Sequence, residues 1–189
     1  MNTPAHVLLA AAAFGSGREA RILYAAVLGA LAPDASLYLM AGWALWVQNI
    51  PPQVVFDELY FSPGWQTVFA IDNSFFLWAG LMLVARASGS AVLTAFSAAG
   101  LLHLALDFPL HAGDGRPHFW PASQWVFDSP VSYWDSSHHA MWVAPATVAL
   151  SVLSFAVLWR RGIGMTGGIV FAVLLGMELW VARQWILFF

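Results

Sequence analysis

The stretch "LTAFSAAGLLHLALDFPLH", Leu93–His111, decides the fold class. Its first ten residues carry no charge, and only Thr94 and Ser97 interrupt an apolar run. Then His103, Asp107 and His111 fall four apart, so a helix stacks all three along one face. An ionisable side chain inside a membrane helix costs about 2.5–3.5 kcal/mol even on the gentler scales, and such groups face the interior and pair. The stretch reads as a membrane span whose polar face points into a bundle.

The rest of the chain agrees. Of 189 residues, 60% are hydrophobic and only 9% are Asp, Glu, Lys or Arg, against about 25% charged in soluble domains. Eleven Trp and fourteen Phe add to the apolar load. The expectation is an all-α, polytopic transmembrane helical bundle, with residues 1–189 forming a single integral membrane domain. The absence of Cys excludes a disulfide framework and a thiolate metal site. The formal charge of −3 selects no charged partner, and the seven basic residues are all Arg, which argues against nucleic acid.

Apolar windows predict five spans, at roughly 22–50, 67–86, 90–111, 136–159 and 165–186, each near the roughly 20 residues a bilayer needs. Residues 4–14 are apolar but too few to cross alone, and are expected to form a short or re-entrant helix. That N-terminus is signal-like but lacks a basic n-region, so cleavage is not expected. Pro33 is expected to break or kink the first span. Arg18, Arg21, Arg86, Arg160 and Arg161 all fall in loops on one side, which the positive-inside rule makes cytoplasmic. The two long connections, 51–66 and 112–135, then lie on the opposite face, with Arg116 the one basic exception. This predicts a multi-pass membrane protein with its site in the half of the membrane away from the cytoplasm.

Depth brings the polar residues together. His6 precedes Arg18 by 12 residues and Asp34 follows Arg21 by 13, or about 18 and 20 Å of helix. Asp72 precedes Arg86 by 14 and His103 follows it by 17, or about 21 and 25 Å. Asp34, Asp72 and Asp107 have no Lys to pair with and no Arg at that depth. A divalent cation surrounded by His6, Asp34, Asp72, His103, Asp107 and His111 removes the cost of burying them. Imidazole and carboxylate suit zinc first, with manganese or magnesium as alternatives. Other readings exist for single residues. Asp34 suits an N-cap, Asp72-Asn73-Ser74 a helix start, and His103 with Asp107 a hydrogen-bonded pair.

"SPVSYWDSSHHAMW", Ser129–Trp142, places Asp135 and His139 four apart at the outer start of a span. With Asp107, these are the candidate catalytic residues, a carboxylate orienting an imidazole that moves protons. An interfacial Trp/His cap is the alternative. Glu178 is expected to pair structurally with Arg183.

Three segments carry a resemblance. "TPAHVLLAAAAFG" (3–15), "LGALAPDAS" (28–36) and "HLALDFPLHAGDGRPHFWPAS" (103–123) resemble the bacterial membrane-bound metal-dependent hydrolase family (YdjM-like). His6, Asp34, His103 and Asp107 match that family's polar positions, and Trp120 to Ser123 match its later W-P-x-S segment. The family's R-G-x-T-H-S segment appears here only as "AIDNS" (70–74), without the histidine, for which Asp72 or Asn73 stands in. Zinc-dependent phospholipase C motifs are similar more remotely. The resemblance implies a metal-dependent hydrolase of the bacterial inner (cytoplasmic) membrane with its site in the periplasmic half. The depth of the site suits a lipid or lipid-linked ester, a phosphoester first and an amide or carboxyl ester second, cleaved by a metal-activated water with membrane lipid as partner. The alternative is a non-catalytic structural subunit or assembly factor, within a membrane complex or a homo-oligomer. An ion pathway is disfavoured, since the cytoplasmic half of the bundle is apolar.

Overall fold

The computed structural model describes residues 1–17 and 19–187, with side chains through Arg183; Arg18, one of the orientation arginines, lies outside the described residues. Seven helices among the described residues have ten residues or more: α1 (Thr3–Phe14), α2 (Ala20–Gly42), α3 (Pro63–Asp72), α4 (Phe75–Ala87), α5 (Ala91–Asp107), α6 (Ala140–Arg160) and α7 (Gly164–Leu187). Among the described residues there is no strand. A π-helical turn, Trp43–Val47, prolongs α2, and a 3-10 turn, Phe108–Leu110, prolongs α5. Five segments are long and apolar enough to cross a membrane: Ala20–Val47, Pro63–Ala87, Ala91–Leu110, Ala140–Arg160 and Gly164–Arg183. They match the five expected spans to within a few residues at most ends. Leu28, Leu39, Leu83 and Ile169 are exposed on the outside of the bundle, where lipid rather than water is their natural solvent.

Local chemistry sets the boundaries. Ser62, Ser74 and Ser90 precede helices and accept from the backbone N–H of Trp65, Leu77 and Leu93, as N-caps do. The second span is therefore two helices, interrupted at Asn73–Ser74. The first span, by contrast, runs helical through Pro33 without a break, and Asp34 lies inside the helix rather than at a cap.

The short α1 is the centre of the bundle. It packs on α2, α5, α6 and α7, and its Ala5, Leu8, Ala10 and Ala11 are buried. Arg161, at the end of α6, donates to the carbonyl of Ala12 at 2.5 Å and so ties the C-terminal end of α1 to the arginine-bearing end of the bundle. Helices α2 and α5 approach closely at Gly29, where an added Cβ would lie 2.1 Å from the Phe96 carbonyl oxygen. Small residues allow such backbone approach between membrane helices. Five residues further along α2 and seven along α5, this contact carries Asp34 towards His103.

Candidate metal centre

Four elements converge at the end of the bundle opposite the arginines. His103 and Asp107 come from the last turns of α5, His6 from α1, Asp34 from α2, and His111 from the residue after the 3-10 turn. The His6 and His103 rings stack with centroids 3.8 Å apart and planes 11° from parallel. Asp107 bridges the Nε2 edges of the two rings. Its Oδ1 is 2.8 Å from His6 Nε2, and its Oδ2 is 3.2 Å from His103 Nε2 and 3.5 Å from His111 Nε2. The Met1 ammonium also contacts Asp107 Oδ1. The second carboxylate, Asp34, places Oδ2 3.7 Å from His103 Nε2. One ligand atom from each of His6, His103 and Asp107 lies within 4.8 Å of the other two, and all three residues are buried. The i, i+4 approach of His111 to Asp107 survives although Pro109 ends the α-helix between them.

The His103 ring shows that this cluster suits a cation. Nδ1 lies 2.7 Å from the Ala30 carbonyl, and a carbonyl only accepts, so Nδ1 carries the hydrogen. In the neutral ring Nε2 is then a lone pair. It is buried, has no hydrogen-bond partner, and faces carboxylate oxygens of Asp107 and Asp34 at 3.2 and 3.7 Å. Three acceptors facing one another are satisfied by a cation or proton between them. The Ala30 bond is also the usual way a metal-binding imidazole is oriented from behind. The donor set of imidazole nitrogens and carboxylate oxygens fits zinc or a similar divalent ion.

Two sequence expectations need correcting around this core. Asp34 does have an arginine at its depth. Arg116 folds back from the long connection and donates from Nη1 to Asp34 Oδ1 and to Asn73 Oδ1, both at 3.0 Å, with its guanidinium 5.1 Å from the Phe69 ring centroid. The Asp34 carboxylate beside it holds Arg116 charged against the effect of burial. Asp72, expected as a ligand, lies away from the cluster and lines a separate surface hollow with Leu77 and Trp78. Its neighbour Asn73 faces inward instead. The Asn73 amide donates to the carbonyls of Pro33 and Phe69, and its oxygen accepts from Arg116. The break between α3 and α4 is what turns Asn73 rather than Asp72 to the centre.

The candidate catalytic pair Asp135 and His139 is not assembled either. Residues 136–138 form a 3-10 turn and His139 adopts a left-handed backbone with φ 68°, so the helical i, i+4 geometry is absent. Asp135 instead caps the turn and pairs with His138 at 2.8 Å. His139 is exposed, outside the buried cluster. Glu178 is buried and accepts from Asn2 at 3.1 Å, while Arg183 stacks on Trp180, so the expected Glu178–Arg183 pair gives way to these contacts.

Several members of the site were invisible in sequence. His111 Nδ1 lies 3.0 Å from Asp114 Oδ2. Burial opposes charging of His111, but hydrogen bonds to Asp107 and Asp114 outweigh it and raise its pKa. Tyr133 packs edge-on against His111. His118 is buried among Phe75 and Phe108. Its Nδ1 donates to the Arg116 carbonyl, and burial lowers its pKa to about 4. The connection that carries these residues is held in place. Ser129 bonds back to Pro109 and His111, Tyr133 to Leu110, and Trp134 to Asp114.

The cluster opens into a cavity of about 680 Å³. Asp34, Asp107, His111 and Arg116 line its polar end, and apolar residues such as Leu31 and Leu174 line the remainder. No family model, curated protein or solved structure matches the chain.

Proposed function

We propose that the protein is a membrane-embedded, metal-dependent hydrolase of a lipid or lipid-linked phosphoester. The observation that carries this reading is the His103 lone pair, directed at two carboxylates at the polar end of an otherwise apolar cavity. His6, His103 and Asp107 would hold the ion, with Asp34 beside them. A divalent ion in such a site polarises a phosphoryl oxygen and lowers the pKa of water. Arg116 neutralises Asp34 and presents positive charge where an anionic head group would sit. His111, bridged between Asp107 and Asp114, is placed to accept and return a proton, the role that sequence spacing gave to His139. The motif resemblance to the membrane-bound hydrolases belongs to the same proposal. So do zinc as the metal and the placement of the site in the periplasmic half of an inner membrane.

The test is turnover of lipid phosphoesters by purified protein supplied with zinc or manganese. Release of phosphate or head group, lost in His103→Ala and Asp107→Asn, is the expected result. A folded, metal-loaded protein inert on phosphoesters, carboxyl esters and amides would contradict the hydrolase. It would leave the cluster as the structural core of a non-catalytic membrane subunit.

A further inference from the structure

The cavity at the metal centre does not stand alone. A second hollow of about 380 Å³ lies towards the arginine end, and Val7, Val27 and Leu174 line both. On α2 the lining positions run Ala20, Leu23, Val27, Leu31, Asp34 and Tyr38, a single face at three- and four-residue spacing. On α7 they run Thr166, Val170, Leu174, Met177 and Val181, again one face. Helix α7 packs on α1 and α6 rather than on α2, so α1 forms the floor and the α2–α7 gap faces the bilayer.

The length of this groove is informative. From Asp34 to Ala20 is fourteen residues, or about 21 Å of helix. Half of a hydrocarbon core of roughly 30 Å is about 15 Å. A chain lying along the groove from Asp34 to Ala20 is therefore longer than one leaflet. The groove lining is mostly apolar from Leu31 to the arginine end and is continuous with the polar end at Asp34, Asp107 and Arg116, so it suits an occupant that joins an anionic head to a hydrocarbon tail.

Resting on the hydrolase reading, we infer that the groove receives the tail of the substrate. The substrate class is then a lipid phosphoester whose hydrocarbon chain is longer than one leaflet, its phosphate at Arg116 and the metal centre and its tail between α2 and α7. Both groove and bilayer are apolar, so tail length is sensed by where the chain lies more than by affinity.

The experiment uses two lipid phosphates with a photoreactive diazirine at the chain end, one chain shorter than a leaflet and one long enough to pass the midplane. Metal-stripped full-length protein in lipid nanodiscs prevents turnover, and labelled residues are mapped by mass spectrometry. The short probe is expected to label Leu31 and Leu174, and the long probe Leu23, Thr166 and Phe171. At Gly167 an added Cβ meets nothing closer than 3.4 Å, so Gly167→Trp can enter the far hollow. It should reduce long-probe labelling there several-fold and leave the short probe unchanged. Short-probe labelling at the head with long-probe labelling on the bilayer-facing Leu28 and Ile169 would overturn the tail groove alone. No labelling in the groove by either probe would overturn it together with the lipid phosphoester reading.

Discussion

Two segments of this chain pair a carboxylate with an imidazole four residues away, and they meet opposite fates. Around Asp107 the helix is continuous back to His103, His6 approaches from α1, and every member is buried. Around Asp135 the chain turns through a 3-10 turn into a left-handed His139, and the side chains stay at the surface. Spacing is the same in both, so spacing is not what makes a site. The difference lies in packing. Gly29 lets α2 close on α5, α1 covers the junction, and the cluster loses its solvent. Only there does an unshared lone pair have a cost that a metal ion would relieve.

The comparison can be broken most severely at Arg116. Arg116→Met leaves Asp34 buried without its partner, which should cost about 3–5 kcal/mol. The double variant Arg116→Met with Asp34→Asn should recover most of that, as read by thermal unfolding in detergent. Equal destabilisation of the single and double variants would show that the pair does not hold the connection to the bundle.

Acid should act through His118. Its pKa falls from 6.5 to about 4 on folding, so between these values the unfolded chain binds more protons and stability rises with pH. The contribution is complete above about pH 6.5 and lost as pH falls to about 4, and it amounts to about 3 kcal/mol. His118→Phe should flatten this part of the stability-against-pH curve; an unchanged slope would place the effect elsewhere.

A smaller effect is expected at the helix crossing. Gly29→Ala puts a methyl group against the Phe96 carbonyl and should cost about 1–3 kcal/mol through overpacking. It should also weaken metal retention by separating Asp34 from His103. At the other end of the scale, Asp135→Ala and His139→Asn should leave metal content and turnover unchanged. A loss of turnover there would restore the surface pair as catalytic.

The sequence disclosed a good deal of this arrangement, for physical reasons. Span positions were legible because lipid demands a run of about 20 apolar residues, and arginine placement separated the two ends. His6, Asp34, His103, Asp107 and His111 were found because helical rise converts residue number into depth. Arg116 was not, since it reaches Asp34 from 82 residues away through an irregular connection that no periodicity describes. Asp72 was preferred to Asn73 because depth does not report direction, and one helix break at Ser74 decides which of the two faces inward. His118 carried no helical pattern at all; its burial follows from the aromatic packing of the connection.

The most direct measurement is metal content by mass spectrometry of the detergent-purified protein, with His103→Ala and Asp107→Asn prepared in parallel. The account predicts about one equivalent of zinc or manganese per chain in the wild type, set by the one His6–His103–Asp107 group among the described residues, and its loss in both variants. A folded wild type purified without chelator and free of metal would contradict it.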